Sequence, residues 1–432
     1  MTQNRHGRVT IVGGGLAGLA TATYLARAGH HVTLCEKAGT FGGRAATHEH
    51  KGYLFNVGPH ALYRKAEATS VLRELGVRFT GKSPTASGGF ALDRGTTHAL
   101  PGGFVSLLTT GLFGVGAKIE TARVLATLQN IDTTLWANVT VREWTEREIQ
   151  HPELRRLLLG LFRLTTYGND PDLQSAGAAI QQLQLALSAN VTYLDGGWRT
   201  LIEGLRAQAE AAGVDLRPGR GVARVERDCT VHLRDGTALE AEAVVIAASP
   251  DLAADLVVDG RATALGRYAN DAVPARAACL DVALATLPVP RATFALGIDQ
   301  PLYFSVHSAA AQLAPPGGAL VHVARYLGAA KADDPRATER ELEGVLDLVQ
   351  PGWQTQVVER RFLPAMTVTH GVPIAKNGGL AGRPAPAIPG LPGIYLAGDW
   401  VGNEGALADA SLASARRTAA LVGTQLSTSA AA

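Results

Sequence analysis

Residues 9–37, VTIVGGGLAGLATATYLARAGHHVTLCEK, constrain the fold more than any other part of the chain. Gly13, Gly15 and Gly18 lie between a β-branched apolar run, typical of a buried parallel strand, and a run with helical spacing. A second apolar run then ends at Glu36. A strand, a glycine turn, a helix and a second strand that ends in an acid indicate a dinucleotide site. The alternative is a plain strand-to-helix turn in a chain that contains 49 glycines.

Each glycine has its own function in such a turn. Gly13 permits the tight turn, Gly15 lets a diphosphate approach the backbone, and Gly18 lets the helix pack closely on the strand. The phosphates would face the free amide groups at the N-terminus of the helix. Glu36 suits the ribose hydroxyls of FAD or NAD, because a carboxylate would repel a 2′-phosphate. The segment therefore predicts a site for one of these two dinucleotides.

The composition narrows the classes of protein that this chain can represent. With 432 residues, 46% hydrophobic and 18% charged, it predicts a folded protein of two or three lobes that encloses a ligand. The net charge of +2 gives no reason to expect a nucleic-acid partner. Cys35, Cys229 and Cys279 lie far apart without metal-ligand spacing, so we expect neither a metal site nor a disulfide framework. A reducing, cytoplasmic environment fits this pattern.

The most apolar stretch is GGFVSLLTTGLFGVGAK, residues 102–118. It is too short, and too rich in glycine and threonine, to span a bilayer. We expect a buried helix here, and the alternative is a helix attached to a membrane surface. The N-terminal residues lead into the first strand without an apolar segment ahead of it, so secretion is not predicted. The expected location is cytoplasmic, with peripheral membrane contact left open.

Two more turns follow the first strand-helix-strand unit. The run GGRAAT contains Gly43 and Arg44, and the Arg44 guanidinium could grip the same diphosphate from its other side. The run FNVGPHALYR contains Gly58, Pro59 and His60. A glycine-proline turn is usually structural, so it gains meaning only in the company of the other motifs.

In this order, the runs GGGLAG, CEK, GGRAAT and FNVGPHALY resemble the N-terminus of a superfamily of flavoproteins. The superfamily comprises the flavin-containing amine oxidases, phytoene desaturases and protoporphyrinogen oxidases, and the resemblance is closest to the phytoene desaturases. Residues 193–226 resemble its second FAD-contacting block, and residues 393–420 resemble its closing motif. The implied fold is α/β, with a Rossmann-type FAD-binding domain like that of glutathione reductase. A discontinuous substrate domain of mixed sheet plus helices would accompany it.

The resemblance also implies how the chain is divided. The FAD-binding domain would comprise residues 1–72, 192–252 and 388–425. The substrate domain would comprise residues 73–191, with a hairpin at 88–101 followed by helices, and residues 253–387. In the second range we expect strands at 275–287, 292–298 and 319–327 and one acidic helix at 334–349. Residues 426–432 would form a frayed tail.

The implied cofactor is FAD, bound without a covalent link because the closing block has no cysteine. Arg44 would hold the diphosphate, Val222 the adenine and Asp399 a ribityl hydroxyl, and a helix that starts near Gly405 would point at the pyrimidine end of the flavin. The full set of implied cofactor contacts is Gly13, Gly15, Leu16, Ala17, Gly18, Glu36, Lys37, Gly43, Arg44, Gly58, Pro59, His60, Ala61, Val222, Gly398, Asp399, Gly405, Ala406 and Leu407.

His60 is the first candidate for a catalytic side chain. Its turn should face the flavin, and an imidazole can exchange a proton near neutral pH. The alternative is a histidine that only hydrogen-bonds a loop. Tyr63 is the second candidate, and Arg64 and His370 could also reach the substrate. Trp400 could wall the flavin ring or pack in the core.

The resemblance implies an FAD-dependent oxidoreductase that oxidises or desaturates a C–C or C–N bond of a hydrophobic small molecule by hydride transfer to flavin N5. Residues 253–330 contain no lysine, whereas many amine oxidases of the superfamily keep one there. The chain is also shorter than most carotenoid desaturases, which favours a smaller apolar substrate. The alternatives are a redox-neutral flavin-dependent isomerase, a non-catalytic lipid-binding scaffold of the GDP-dissociation-inhibitor type, and an NAD-binding protein. The electron acceptor and the oligomeric state are left open.

Overall fold

A computed structural model describes residues 7–85, 89–101, 104–329 and 334–429. The helices of this part of the chain are α1 Leu16–Arg27, α2 Glu67–Glu74, α3 Phe104–Thr109, α4 Val115–Thr127, α5 Val141–Glu148, α6 Pro152–Thr166, α7 Ala176–Ala189, α8 Arg199–Ala211, α9 Pro250–Leu256, α10 Ala264–Asp271, α11 Pro335–Val349 and α12 Leu407–Ser429. Its strands are β1 Arg8–Val12, β2 His31–Glu36, β3 Thr47–His50, β4 Tyr53–Asn56, β5 Leu62–Tyr63, β6 Gly81–Lys82, β7 Phe90–Asp93, β8 Thr96–Ala99, β9 Val191–Leu194, β10 Asp215–Pro218, β11 Val222–Val225, β12 Val231–Leu233, β13 Ala238–Leu239, β14 Ala243–Ile246, β15 Ala275–Leu284, β16 Phe294–Gly297, β17 Leu302–Val306, β18 Ala319–Leu327, β19 Val357–Thr369 and β20 Ile394–Leu396.

The first of the two large sheets is parallel and has the strand order β10-β2-β1-β14-β20. Helices α1, α8 and α12 contribute to the core on one face. The small β11-β12-β13 sheet, with α9 and α10, covers the other face. Both faces of the central strands are therefore buried, which explains why β1 and β14 are continuous apolar runs.

A second sheet has seven strands in the order β19-β15-β18-β17-β16-β7-β8. Leu280 and Val282 of β15 pack in one core with Leu342 and Leu346 of α11. Because side chains alternate along a strand, Asp281 points to the opposite face of this sheet. Helices α4, α5, α6 and α7 form a further core against the β7 and β16 end.

Several expectations for the two inserts are confirmed. The hairpin is β7-β8, the acidic helix is α11, and the predicted strands correspond to β15, β16 and β18. Strands β17 and β19 were not predicted. The frayed tail was placed wrongly, because α12 continues through residues 426–429, while residues 430–432 lie outside the described part.

The boundary expected at residue 252 does not match the packing. Ala253, Leu256 and Leu265 lie in the same core as Val244 and Ile246 of the parallel sheet. This contact places α9 and α10 with the sheet that the glycine turn belongs to, rather than with the second insert. The rest of the proposed division into domains stays a prediction.

The expectation of one buried helix at residues 102–118 is wrong. Residues 102–103 lie outside the described part, and the remainder folds as α3 and the start of α4, with a turn between them. Several apolar side chains of both helices are exposed, including Val105 and Ile119. No helix in the described ranges combines the length and the apolar character needed to cross a bilayer.

Candidate functional site

The glycine turn between β1 and α1 contains two glycines that are needed for packing. A methyl group on Gly18 would lie 1.9 Å from the carbonyl oxygen of Gly13, and one on Gly13 would lie 2.5 Å from that of Ala247. Gly13 also has a φ of 107°, which disfavours any other residue. Gly15 differs, because the nearest atom to an added methyl group is the Gly42 oxygen at 3.8 Å. The turn therefore holds the helix tightly on the strand and leaves an open backbone at Gly15.

The N-terminus of α1 opens onto the same space. Gly15 is the residue before the helix and offers no side-chain cap, so the amide groups of Leu16 and Ala17 have no partner within the helix. Across this opening Gly43 has a φ of 55°, and an added methyl group there would meet nothing within 4 Å. A helix N-terminus between two bare stretches of backbone fits the diphosphate of a dinucleotide.

Glu36 ends β2 beside the turn. Its carboxylate accepts hydrogen bonds from the amide of Gly14, at 2.7 Å, and from that of Ala38, at 2.8 Å. Directly before β11, Gly221 lies close to Lys37, and a methyl group added to Gly221 would be 3.4 Å from the Lys37 Cβ. Val222 follows directly and is buried at the start of β11. The residue assigned to the ribose thus lies near the residue assigned to the adenine, although Val222 belongs to the separate β11-β12-β13 sheet.

Arg44 and Asp399 come from opposite ends of the chain and form a two-pronged ion pair. The two guanidinium nitrogens donate to the two carboxylate oxygens at 2.7 and 3.1 Å. His370 adds its backbone amide, 3.1 Å from Oδ2 of Asp399, and its Nδ1, 3.2 Å from Oδ1. Burial alone would raise the pKa of Asp399, but Arg44 and His370 hold that pKa well below its ordinary value. The carboxylate is therefore ionised where the closing motif meets the GGRAAT run.

The turn that contains His60 is fixed by backbone contacts. The Nδ1 of His60 lies 3.0 Å from the Gly58 carbonyl oxygen, so Nδ1 carries the proton and Nε2 is left as an acceptor. Pro59 accepts a hydrogen bond from the Tyr167 hydroxyl at 3.0 Å, and the His60 ring lies 4.8 Å from that of Trp198. Burial lowers the pKa of His60 to about 4. The imidazole is neutral at pH 7, so a role in proton exchange near neutral pH is not favoured.

This pKa gives a testable dependence of stability on pH. The unfolded chain, with a histidine pKa of about 6.5, binds more protons than the folded protein between that value and about 4. We therefore expect the free energy of unfolding to fall as the pH decreases through this window, with His60 contributing up to about 1.4 kcal/mol per pH unit. Urea unfolding of the protein and of His60→Gln should show a shallower fall in the variant. Equal slopes would contradict this assignment.

The other predicted side chains have protein partners. Tyr63 is buried and donates its hydroxyl to the Thr165 carbonyl oxygen at 3.0 Å, which ties β5 to α6. Arg64 is exposed. Trp400 lies in the core, and its indole donates to the Ala248 oxygen at 2.9 Å. These contacts fit the alternative in which Trp400 packs in the core. Tyr63 and Trp400 therefore use their polar groups in contacts within the protein, whereas the exposed Arg64 guanidinium donates, among the described residues, only to the Ser83 hydroxyl, at 3.4 Å.

A cavity of about 310 Å³ opens at the N-terminus of α12. Gly405, Ala406 and Leu407 line it, together with residues of α6 and α7. Leu407 begins the helix with a φ of 55°, a conformation that side chains other than glycine rarely adopt. Strain of this kind is concentrated at ligand sites. The cavity is therefore a candidate ligand site at the helix that was predicted to point at the flavin.

Two titratable groups of this cavity were not predicted from the sequence. Asp409 is 2% exposed and accepts a hydrogen bond from the Ala68 amide at 2.8 Å, and burial raises the pKa of its carboxyl to about 7. Arg383 donates to the Gly405 oxygen at 2.8 Å, and burial lowers the pKa of its guanidinium to about 10. Asp409 lies within the closing motif, but no role was predicted for it, and Arg383 belongs to none of the motifs that were identified, so only the fold reveals that they face the cavity.

A buried polar network, also missed, lies behind the His60 turn. Asp281 accepts from the Cys279 thiol at 3.0 Å and from Nδ1 of His322 at 2.5 Å, and its other oxygen accepts from Arg361 at 2.6 Å. A methyl group on Gly58 would lie 3.9 Å from the Cys279 Cβ. Burial would raise the pKa of Asp281, but His322 and Arg361 lower it, so the carboxylate stays charged. The signal in the sequence was an aspartate inside the apolar run ARAACLDVAL.

Cys279, Asp281 and His322 also have the chemistry of metal ligands, and their ligand atoms lie within 4.8 Å of one another. The sequence predicted no metal site. The 2.5 Å separation between His322 and Asp281 is a hydrogen-bond distance, whereas two ligands of a tetrahedral zinc ion lie about 3.3 Å apart. Without an ion, burial and Asp281 raise the pKa of the Cys279 thiol well above its ordinary value, so the protonated thiol donates to Asp281. The geometry therefore favours a hydrogen-bonded network rather than a metal centre.

Comparison with known proteins identifies the family. A sequence model of the flavin-containing amine oxidoreductases matches residues 16–423. The chain belongs to this family. Its cofactor is FAD, as expected from the resemblance.

Two curated relatives of this flavoprotein are a phytoene desaturase and a phytoene dehydrogenase. The phytoene desaturase of Cercospora nicotianae is 28% identical over 54% of this chain and 44% of its own length. The phytoene dehydrogenase of Streptomyces griseus is 27% identical over 59% of this chain and 56% of its own length. The chain thus spans about half the length of these curated relatives.

A solved structure confirms the fold of this flavoprotein. An oxidoreductase from Methanosarcina mazei superposes with a TM-score of 0.75 over 95% of this chain and 99% of its own, at 17% identity. The expected Rossmann-type α/β fold with a second, mixed-sheet part is therefore confirmed. The individual cofactor contacts and the two catalytic candidates, His60 and Tyr63, stay predictions.

Proposed function

We propose that this flavoprotein is an FAD-dependent oxidoreductase that oxidises or desaturates a C–C or C–N bond of a hydrophobic small molecule. The observation that carries the proposal is the convergence of the α1 turn and the closing motif. The Gly42 amide donates to the Gly14 oxygen at 2.9 Å and ties the GGRAAT run to the α1 turn, and the Arg44–Asp399 ion pair ties the same run to the closing motif. The cavity at the start of α12 lies on the closing-motif side. The names of two similar proteins, a phytoene desaturase and a phytoene dehydrogenase, support the oxidation of a C–C bond.

Bound FAD supplies an acceptor for two electrons, usually taken as hydride at N5. The amide groups of α1 and the Arg44 guanidinium would hold its diphosphate. Asp399 would accept a hydrogen bond from a ribityl hydroxyl. The positive end of the α12 dipole would stabilise negative charge at the pyrimidine edge of the ring. These residues would bind and orient the FAD, and the cofactor itself would supply the chemistry that breaks the substrate bond.

The cavity supports a small substrate. Its volume of about 310 Å³, part of which the flavin ring would occupy, is at the lower end of the range for small-molecule sites. Leu185, Val372 and Leu380 provide apolar lining, while Gln182 and Asp409 could orient one polar group of the substrate. The cavity thus favours a molecule smaller than a long polyene. We also propose a cytoplasmic location, supported by three free, buried cysteines.

Anaerobic reduction of the purified holoprotein tests this proposal. We expect one class among amines, porphyrinogens and polyenes to bleach the flavin absorbance, since hydride transfer reduces the ring. Dithionite is the control that shows the flavin is reducible. If dithionite bleaches the flavin and no substrate class does, the proposed oxidation is wrong. Turnover that requires a pre-reduced flavin and consumes no oxidant would instead show the isomerase.

A further inference from the structure

Helices α3 and α4 expose an unusual group of large apolar side chains. The exposed fractions are 73% for Val105, 54% for Leu108, 77% for Val115 and 68% for Ile119. We call these four residues the α3–α4 patch. They are four of the eleven large hydrophobic side chains that are exposed in the described part of the chain, yet they fall within 15 residues. Exposed apolar residues that are concentrated in this way mark an interaction surface, whereas scattered ones need no explanation.

The patch is not the result of a loosely packed segment. Leu107, Leu112, Phe113 and Ala117, which alternate with the patch residues along the chain, are each less than 10% exposed and belong to the core of the helical insert. The two helices are also tied together, because Lys118 of α4 donates to the Leu108 oxygen of α3 at 2.7 Å. One side of the pair is therefore anchored in the core, and the other side presents apolar groups to solvent.

The charges around the patch are complementary to an anionic surface. Residues 104–127 contain only three charged side chains, which are Lys118, Glu120 and Arg123. Glu120 is 6% exposed and accepts hydrogen bonds from the Gln150 and His151 amides, so its charge is directed inward. Arg123 lies 3.7 Å from Glu120 with 64% of its side chain exposed. Of the three charged side chains on α3 and α4, the two that reach solvent are therefore basic, and Arg123 reaches it while paired with Glu120.

We propose that the α3–α4 patch docks this protein on the surface of a membrane that contains anionic lipids. The apolar side chains would enter the boundary between headgroups and acyl chains, and Lys118 and Arg123 would contact the lipid phosphates. The helices would lie in the interface. The inference stands on the exposed face alone and does not depend on the proposed chemistry.

Sedimentation of the holoprotein with vesicles tests the docking. We expect binding to vesicles of phosphatidylcholine mixed with phosphatidylglycerol, and much weaker binding to phosphatidylcholine alone. Added salt should weaken the binding to the mixed vesicles, because it screens the two basic side chains. Absence of binding to the mixed vesicles would overturn the proposal.

Variants separate the apolar and the basic contributions. Replacing Val115 and Ile119 together with serine should weaken partitioning on the order of tenfold or more. Replacing Lys118 and Arg123 with glutamine should weaken it about fivefold for each charge on mixed vesicles only. Leu348→Ser is the matched control, since Leu348 is 43% exposed on α11, which packs against another part of the molecule. That control should bind like the unchanged protein.

Flavin content and circular dichroism establish that each variant is folded, as expected for exposed positions. Unchanged vesicle binding by the Val115 and Ile119 double variant would overturn the proposal. Sedimentation velocity tests the alternative that a second copy of this chain covers the α3–α4 patch. If the unchanged protein is a dimer that the double variant converts to a monomer, and vesicle binding is absent, the patch is an interface between two copies of this chain.

Discussion

Gly18→Ala is expected to destabilise the protein by about 3 kcal/mol or more, even without cofactor. The added methyl group would lie 1.9 Å from the Gly13 carbonyl oxygen, so either the helix or the turn has to move. Backbone cannot make room as a flexible side chain can. Urea unfolding of the flavin-free protein, followed by far-ultraviolet circular dichroism, measures the change.

Gly15→Ala is the matched control for this glycine turn. Gly15 has a φ of −85°, which alanine adopts without strain, and its methyl group would meet protein only at 3.8 Å. The stability of the flavin-free protein should change by less than about 1 kcal/mol. The affinity for FAD should fall about 100-fold, since the methyl group occupies the approach of the diphosphate to two or more amide groups. Unchanged affinity would show that the diphosphate lies elsewhere.

Asp281→Ala is expected to cost about 3–5 kcal/mol of the free energy of unfolding. The carboxylate is fully buried and neutralises Arg361 while it accepts from His322 and Cys279. Removing it leaves the partly buried Arg361 guanidinium without its counter-charge, and it leaves the fully buried His322 and Cys279 without their acceptor. Chemical denaturation of the holoprotein measures the loss.

An exposed ion pair provides the comparison for that variant. Asp255 pairs with Arg261 at 2.7 Å, and its side chain is 57% exposed. Asp255→Ala should change the stability by less than about 1 kcal/mol. If Asp281→Ala were equally mild, the buried network would carry no net energy, and the account of its charges would be wrong.

The glycine turn and the strands around it could be predicted because each depends on local pattern. A buried parallel strand is a continuous apolar run, and the turn needs glycine at fixed positions. Strand β19 was missed because it is an edge strand that contains Pro364 and charged residues such as Arg361. A proline is tolerated at an edge, where a strand lacks a partner on one side.

The polar network could not be predicted for a different reason. Asp281 faces His322 in one neighbouring strand and Arg361 in the other, so the contact depends on the register of three strands distant in sequence. Asp409 depends in the same way on the position of α2, whose Ala68 amide it accepts from. Sequence patterns indicate which residues belong to one element, and they do not specify which elements become neighbours.

The central claim is that distant segments of this chain enclose one FAD whose diphosphate lies against the N-terminus of α1. The most direct measurement is the flavin released when the purified protein is denatured, identified by chromatography and quantified against the chain. The account predicts one FAD for each chain, all of it released because the link is not covalent. A folded protein that contains no FAD and takes none up, or a flavin that stays attached to the denatured chain, would contradict it.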